Sequence, residues 1–123
     1  MTEPEEPHPQ QAVLLATALA YPEAYLDHPW GENVVKVRGK IFVFFGMLGP
    51  RLTFGVKLPQ SSEFAVMQPY AEPTGYNLGR AGWVSTSFEP DEEAPIDILL
   101  DWLDESYRAV APRKLSAGLT PRS

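Results

Sequence analysis

The alternation of apolar and polar positions along the chain changes period several times, and each change marks an element. From about Gln10 to Ala20, Leu14, Leu15, Ala18 and Leu19 fall on one helical face, and Pro22 ends the run. The mixed stretch from Ala24 to Pro29, punctuated by Pro and Gly in "DHPWGE", reads as a brief edge strand, where proline is tolerated. "VVKVRGKIFVFFG", Val34 to Gly46, reads as a hairpin turning at Arg38 and Gly39, with Gly39 supplying the positive φ of a two-residue turn. Val37 then faces Lys40, and Lys36 faces Ile41. This register puts Val35, Val37, Lys40, Phe42 and Phe44 on one side and Val34, Lys36, Ile41, Val43 and Phe45 on the other. The second strand is apolar on both sides away from the tip, which predicts a central strand with its charges at the turn.

"GMLGPR" makes the next turn and "LTFGVKL" a third strand, in which Gly55 predicts a bulge or a close backbone approach. "PQSSEFAVMQP" predicts a helix of about two turns, with Ser61 or Ser62 as N-cap and Pro69 as stop. "AEPTGYNLGRAG" reads as loop and "WVSTSF" as an alternating strand. The last helix has Pro95 in its first turn and Pro112 at its end. Ile96, Leu99, Leu100, Leu103, Tyr107 and Val110 form its apolar stripe, with Asp97, Asp101, Asp104 and Arg108 opposite. The order α-β-β-β(-β)-α-β-α predicts an α+β fold, a largely antiparallel sheet of four or five strands covered by helices. Residues 1–9 are expected to form a disordered acidic, proline-rich lead, 10–112 a single domain and 113–123 a flexible tail.

Composition narrows the chemistry. A chain of 123 residues with 44% hydrophobic content suits one domain with its own core. The absence of cysteine excludes disulfides, thiolate metal sites and cysteine nucleophiles, and a reducing cytoplasm is the default expectation. No apolar run approaches the roughly 20 residues of a membrane-spanning helix, so no membrane association is expected. Net charge is -6 and the pI about 4.8, but the charge is unevenly placed. Between Asn33 and Ser62 no acid occurs, while Lys36, Arg38, Lys40, Arg51 and Lys57 do; from Glu89 to Glu105 there are eight acids and no base.

Lys36, Arg38 and Lys40, joined by Arg51, Lys57 and Arg80, are therefore candidates for phosphate contacts, since such contacts need only charge and reach. The competing reading is a hairpin tip kept soluble and protected from edge pairing by its charges. No catalytic constellation emerges. Asp27 and His28 are strand neighbours that point to opposite faces, and no nucleophile motif lies near them. Neither His8 nor His28 has metal-ligand spacing, "EPDEEAP" lacks an EF-hand pattern, and the glycine loops lack a phosphate-binding arrangement, so neither metal nor cofactor is expected. Trp102, with Ile98, lies off the predicted stripe of the last helix. It either packs over a sheet edge or belongs to a partner surface.

"DHPWGENVVKVRGKIFVFFG", "LTFGVKLP", "GYNLGRAGWVSTSF" and "DESYRAVAP", in that order, resemble the MmcQ/YjbR family of small bacterial proteins over about Leu14 to Pro112. The resemblance implies a CyaY-like, double-wing α+β fold and an association with DNA. Its motif positions fall on His28, Pro29, Trp30, Gly31, Gly39, Trp83, Ser106 and Tyr107, all read as structural. Many members carry a basic cluster before the late tryptophan, where "GRAGW" leaves Arg80 as the one cation. Two functions follow as expectations for a monomer or weak dimer: a non-enzymatic protein that binds DNA through its basic hairpin, or a module for protein or small-molecule interaction without a nucleic-acid role.

Overall fold

The computed structural model describes residues 8–28, 33–46, 51–75 and 78–119. The chain runs α1 (Pro9–Leu19), β1 (Tyr25–Asp27), β2 (Val34–Val37), β3 (Lys40–Phe45), β4 (Leu52–Lys57), α2 (Ser62–Ala65), β5 (Ala71–Pro73), a 3₁₀ turn (Leu78–Ala81), β6 (Trp83–Phe88), α3 (Ile96–Val110) and α4 (Arg113–Ser116). The strands form one antiparallel sheet in the order β1-β2-β3-β4-β6-β5. The α+β class is as expected, with six strands among the described residues instead of four or five. The additional strand, β5, lies in the segment read as loop. It is a short edge strand, and Pro73 ends it where a missing N–H is tolerated.

The β2–β3 hairpin turns where the sequence places it, with Val37 opposite Lys40 and Lys36 opposite Ile41. Both turn residues have positive φ, 52° at Arg38 and 82° at Gly39, as a type I′ turn requires. The register then slips. Val35 pairs with Val43, so Phe42 has no partner on β2 and β3 is bulged there. The extra residue lets Phe42 and Val43 both turn to the helices, each fully buried, and sends Phe44 to the opposite face. The predicted pairing of Phe42 with Phe44 on one side is thereby corrected.

The bulge also takes the Phe42 carbonyl and the Lys57 N–H out of ladder geometry, and a side chain from α3 fills the gap. Ser106 Oγ donates to the Phe42 carbonyl at 2.5 Å and accepts the Lys57 N–H at 2.8 Å, fully buried. The residues around it in α3 tie the helix to other segments. Asp104 accepts from the Tyr21 hydroxyl and from Arg108, both at 2.7 Å. Glu105 accepts from the backbone N–H groups of Gln60 and Ser61 and from the Ser61 hydroxyl. Tyr107 donates to the Pro22 carbonyl at 2.7 Å, stacks on Tyr21 and meets Phe42 edge-on. Because Ser61 gives its hydroxyl to Glu105, it makes no side-chain cap on α2, which is one turn long instead of two.

The buried face of α3 comprises Leu99, Trp102, Leu103, Ser106 and Tyr107, a stripe rotated from the predicted one; Ile96, Leu100 and Val110 flank it, half-buried. Trp102 is 5% exposed and lies beside Tyr70, with ring centroids 6.3 Å apart. It belongs to the core, which overturns its reading as a partner surface and leaves Ile98 exposed without it. At the N-terminal side His8, which falls in the expected disordered lead, is buried against the fold. Its ring caps α1 through Gln10 N–H and lies 2.8 Å from the Glu92 carbonyl, while Gln10 exchanges two bonds with Ala94. Beyond Pro112, α4 occupies part of the expected tail, and Leu115 and Leu119 pack against the core.

Removing the Ser106 hydroxyl leaves a buried carbonyl and a buried N–H without their partner. Ser106→Ala is therefore expected to cost about 2 kcal/mol of unfolding free energy, measured by urea denaturation; a loss below about 0.5 kcal/mol would show that the bulge does not need this bridge.

Candidate nucleic-acid interface

The sheet's two faces differ in chemistry. On one, Leu52, Phe54, Val56, Val84, Thr86 and Phe88 join Phe42, Val43 and Phe45 beneath the apolar stripes of α1 and α3. The other face carries Val34, Lys36, Ile41, Phe44, Thr53, Gly55, Lys57, Trp83, Ser85 and Ser87 by strand alternation; apart from Val34 and Gly55, each is partly exposed. We call this the open face. The helix side carries Asp97, Asp101, Asp104 and Glu105 on α3, with Asp91, Glu92 and Glu93 in the loop before it.

The six candidate cations divide between these surroundings. Lys36, Lys57 and Arg51, which continues the alternation of β4, belong to the open face. Lys40, opposite Val37, is an exposed residue on the other side of the hairpin. Arg38 at the tip reaches back to Glu23 after α1 with two bonds, of 2.5 and 2.9 Å. Arg80 is exposed in the 3₁₀ turn. The hairpin cations thus do not share one surface, because alternation sends Lys36 and Lys40 apart and Glu23 draws Arg38 toward the helix layer.

Three of the six are held by acids. Lys36 Nζ lies 2.8 Å from Asp27, Arg38 pairs with Glu23, and Arg51 pairs with Glu89 while also donating to Ser87 Oγ. The Lys36 ammonium and the His28 N–H hold the Asp27 carboxyl below the usual carboxylate range, and the Arg38 guanidinium does the same to Glu23. The reciprocal hydrogen bonds raise Lys36 and Arg38. Lys40, Lys57 and Arg80 have no ion pair among the described residues.

The open face also has a feature that sequence reading missed. Phe44 and Trp83, reaching across β4 from either side, lie with ring centroids 5.8 Å apart and planes inclined by 29°. Between them is Gly55, paired with Phe44 on one side and Ser85 on the other; a Cβ there would come within 2.0 Å of the Phe44 ring. The sequence carried half of the signal, in a glycine inside a strand. The other half required the bulge that turns Phe44 outward.

The remaining motif positions sort plainly. Gly39 serves the turn, and Ser106 and Tyr107 anchor α3. His28 is exposed, and its backbone N–H, not its ring, is bonded to Asp27. Pro29, Trp30 and Gly31 lie outside the described residues. Among the described residues no group of three or more His, Asp or Glu side chains is placed to hold a metal ion.

An antiparallel sheet layered by helices on one face, with a bulged central hairpin locked by a serine from the long C-terminal helix, defines the class. The chain belongs to the YjbR family, whose model matches residues 19–109. Its fold is similar to the crystal structure of Deinococcus radiodurans protein DR2400, a protein with a DUF419 domain, at TM-score 0.68 and 20% identity over 85% of this chain and 80% of that one. Comparison with the curated proteins gave no match. No helix among the described residues is long and apolar enough to cross a membrane.

The lowered Asp27 and Glu23 carboxyls predict a pH dependence of stability. Because each is depressed in the folded state, its contribution is complete above the ordinary carboxylate value, about 4, and is lost as pH falls through the depressed folded value. Thermal melting of the wild type and an Asp27→Asn, Glu23→Gln double variant should therefore differ near neutral pH and converge on acidification below about 4. A gap that stays constant into that acid range would remove these pairs from the pH response.

Proposed function

We propose that this YjbR-family chain is a non-catalytic module that contacts nucleic-acid phosphates through the open face of its sheet. The observation that carries this reading is the contrast between an acidic helix side and a sheet side where cations match the acids in number. The acidic α3 and the loop before it repel a polyanion from the helix side, whereas Lys36, Lys57 and Arg51 stand on the sheet side. The hairpin contributes Lys36 from its flank, and its tip is turned away by the Arg38–Glu23 pair.

Asp27, Glu72 and Glu89 also lie on or beside the open face, and two of them already hold cations. Phosphates must compete with these carboxylates, so binding is modest and strongly dependent on salt. Exposed Phe64 and Met67 on and just after α2 favour a second reading, an interaction with another protein, and replaces Trp102 and Ile98 as its location.

With three cations meeting phosphates, the slope of log affinity against log salt on duplex DNA is expected near about -2.7. Lys57→Glu should weaken binding about tenfold, whereas Asp27→Asn and Glu89→Gln, which release cations, should strengthen it. Fluorescence anisotropy with labelled oligonucleotides measures all three. Absence of binding at micromolar protein and about 50 mM salt would sink the nucleic-acid reading; self-association weakened by Met67→Lys would support the second.

A further inference from the structure

We infer that the Phe44–Trp83 pair is a base-stacking platform and that the nucleic acid taken on the open face is single-stranded. This rests on the preceding reading of the open face and adds a ligand class to it.

Two large aromatic side chains on the solvent side of a sheet run against the hydrophobic effect unless they pack under something or receive it. Phe44 and Trp83 lie close to parallel and half-buried, with no described helix stripe over them. Their arrangement depends on Gly55, since any side chain there would occupy the space of the Phe44 ring. The surround is polar: Thr53, Ser85 and Ser87 share the face, Lys57 is the direct cross-strand neighbour of Trp83, and Lys36 stands one strand from Phe44 and two from Lys57, about 10 Å from the latter by strand spacing. A purely apolar partner would leave these groups desolvated without hydrogen bonds.

Flat apolar faces joined by an anionic linker match the pattern instead. Bases stack on the rings while phosphates meet Lys57 and Lys36. A duplex presents its phosphates but keeps its base faces stacked internally, so the aromatic pair would contribute nothing to duplex binding. Single strands expose those faces.

The test uses the full chain with a fluorescein-labelled single-stranded oligothymidine and a labelled hairpin duplex at low salt. Expected are tighter binding of the single strand and quenching of tryptophan emission that Trp83→Phe removes but Trp102→Phe retains. Trp83→Ala should weaken single-strand binding about tenfold, within the usual range for one stacked base, and Trp83→Phe should restore part of it. Melting curves and circular dichroism check that each variant folds. Equal binding of both forms, unaffected by Trp83→Ala in a folded protein, would overturn the stacking inference while leaving the phosphate reading in place. Binding of neither would overturn both. A dimer dispersed by Trp83→Ala would assign the face to a second copy of the chain, and the inference would fall.

Discussion

The Ser106 hydroxyl sits where the β3–β4 ladder is broken, donating to the Phe42 carbonyl and accepting from the Lys57 N–H. Buried backbone groups without partners are costly, so a bulge in a central strand needs a substitute for the bond it displaces. A serine on the helix packed above is short enough to reach and can both donate and accept. The consequences run in both directions. Phe42 and Val43 are added to the core under α1 and α3, and Phe44 is sent to the opposite face, where it meets Trp83. One extra residue in β3 thus determines both what the helices cover and what the open face offers.

The same stretch of α3 explains why so much of the family-like pattern is structural. Asp104 and Tyr107 bond the turn after α1 at Tyr21 and Pro22, Glu105 the turn into α2, and Ser106 the central strands. Four consecutive residues on a helix point in four directions. The helix is therefore fixed in rotation and along its axis as well as in contact, which is more than an apolar stripe alone can specify. The hydroxyl of Tyr107, raised by burial, is committed to a carbonyl, as expected for a side chain that holds a fold together.

Charge on the surface is arranged by opposition more than by accumulation. An acidic helix layer faces one way, and the cations of the open face stand beside carboxylates that restrain two of them. Exposed ion pairs of this kind add little stability. Their larger effect is to lower the positive field of this surface. Phe44 and Trp83 add an apolar feature to the same face.

The sequence by itself determined the order of elements, the central hairpin and its tip register, the long terminal helix and the family resemblance, because these follow from local periodicity, turn residues and the steric demands of glycine and proline. It placed Lys36 and Lys40 on opposite sides of the hairpin, as they are, but did not reveal the bulge at Phe42, the edge strand β5, the burial of Trp102 or the acids that hold Lys36, Arg38 and Arg51. A bulge leaves the hydrophobic pattern almost unchanged while reversing the side of every later residue in the strand. The rotation of α3 that buries Trp102 is decided by polar bonds to distant segments, which periodicity does not encode. Which cations are held by acids is likewise a matter of partners brought together only by folding: Glu23 with Arg38, Asp27 with Lys36, Glu89 with Arg51. Local preference selects the elements, but alternation, register and long-range pairing decide which surface each residue serves.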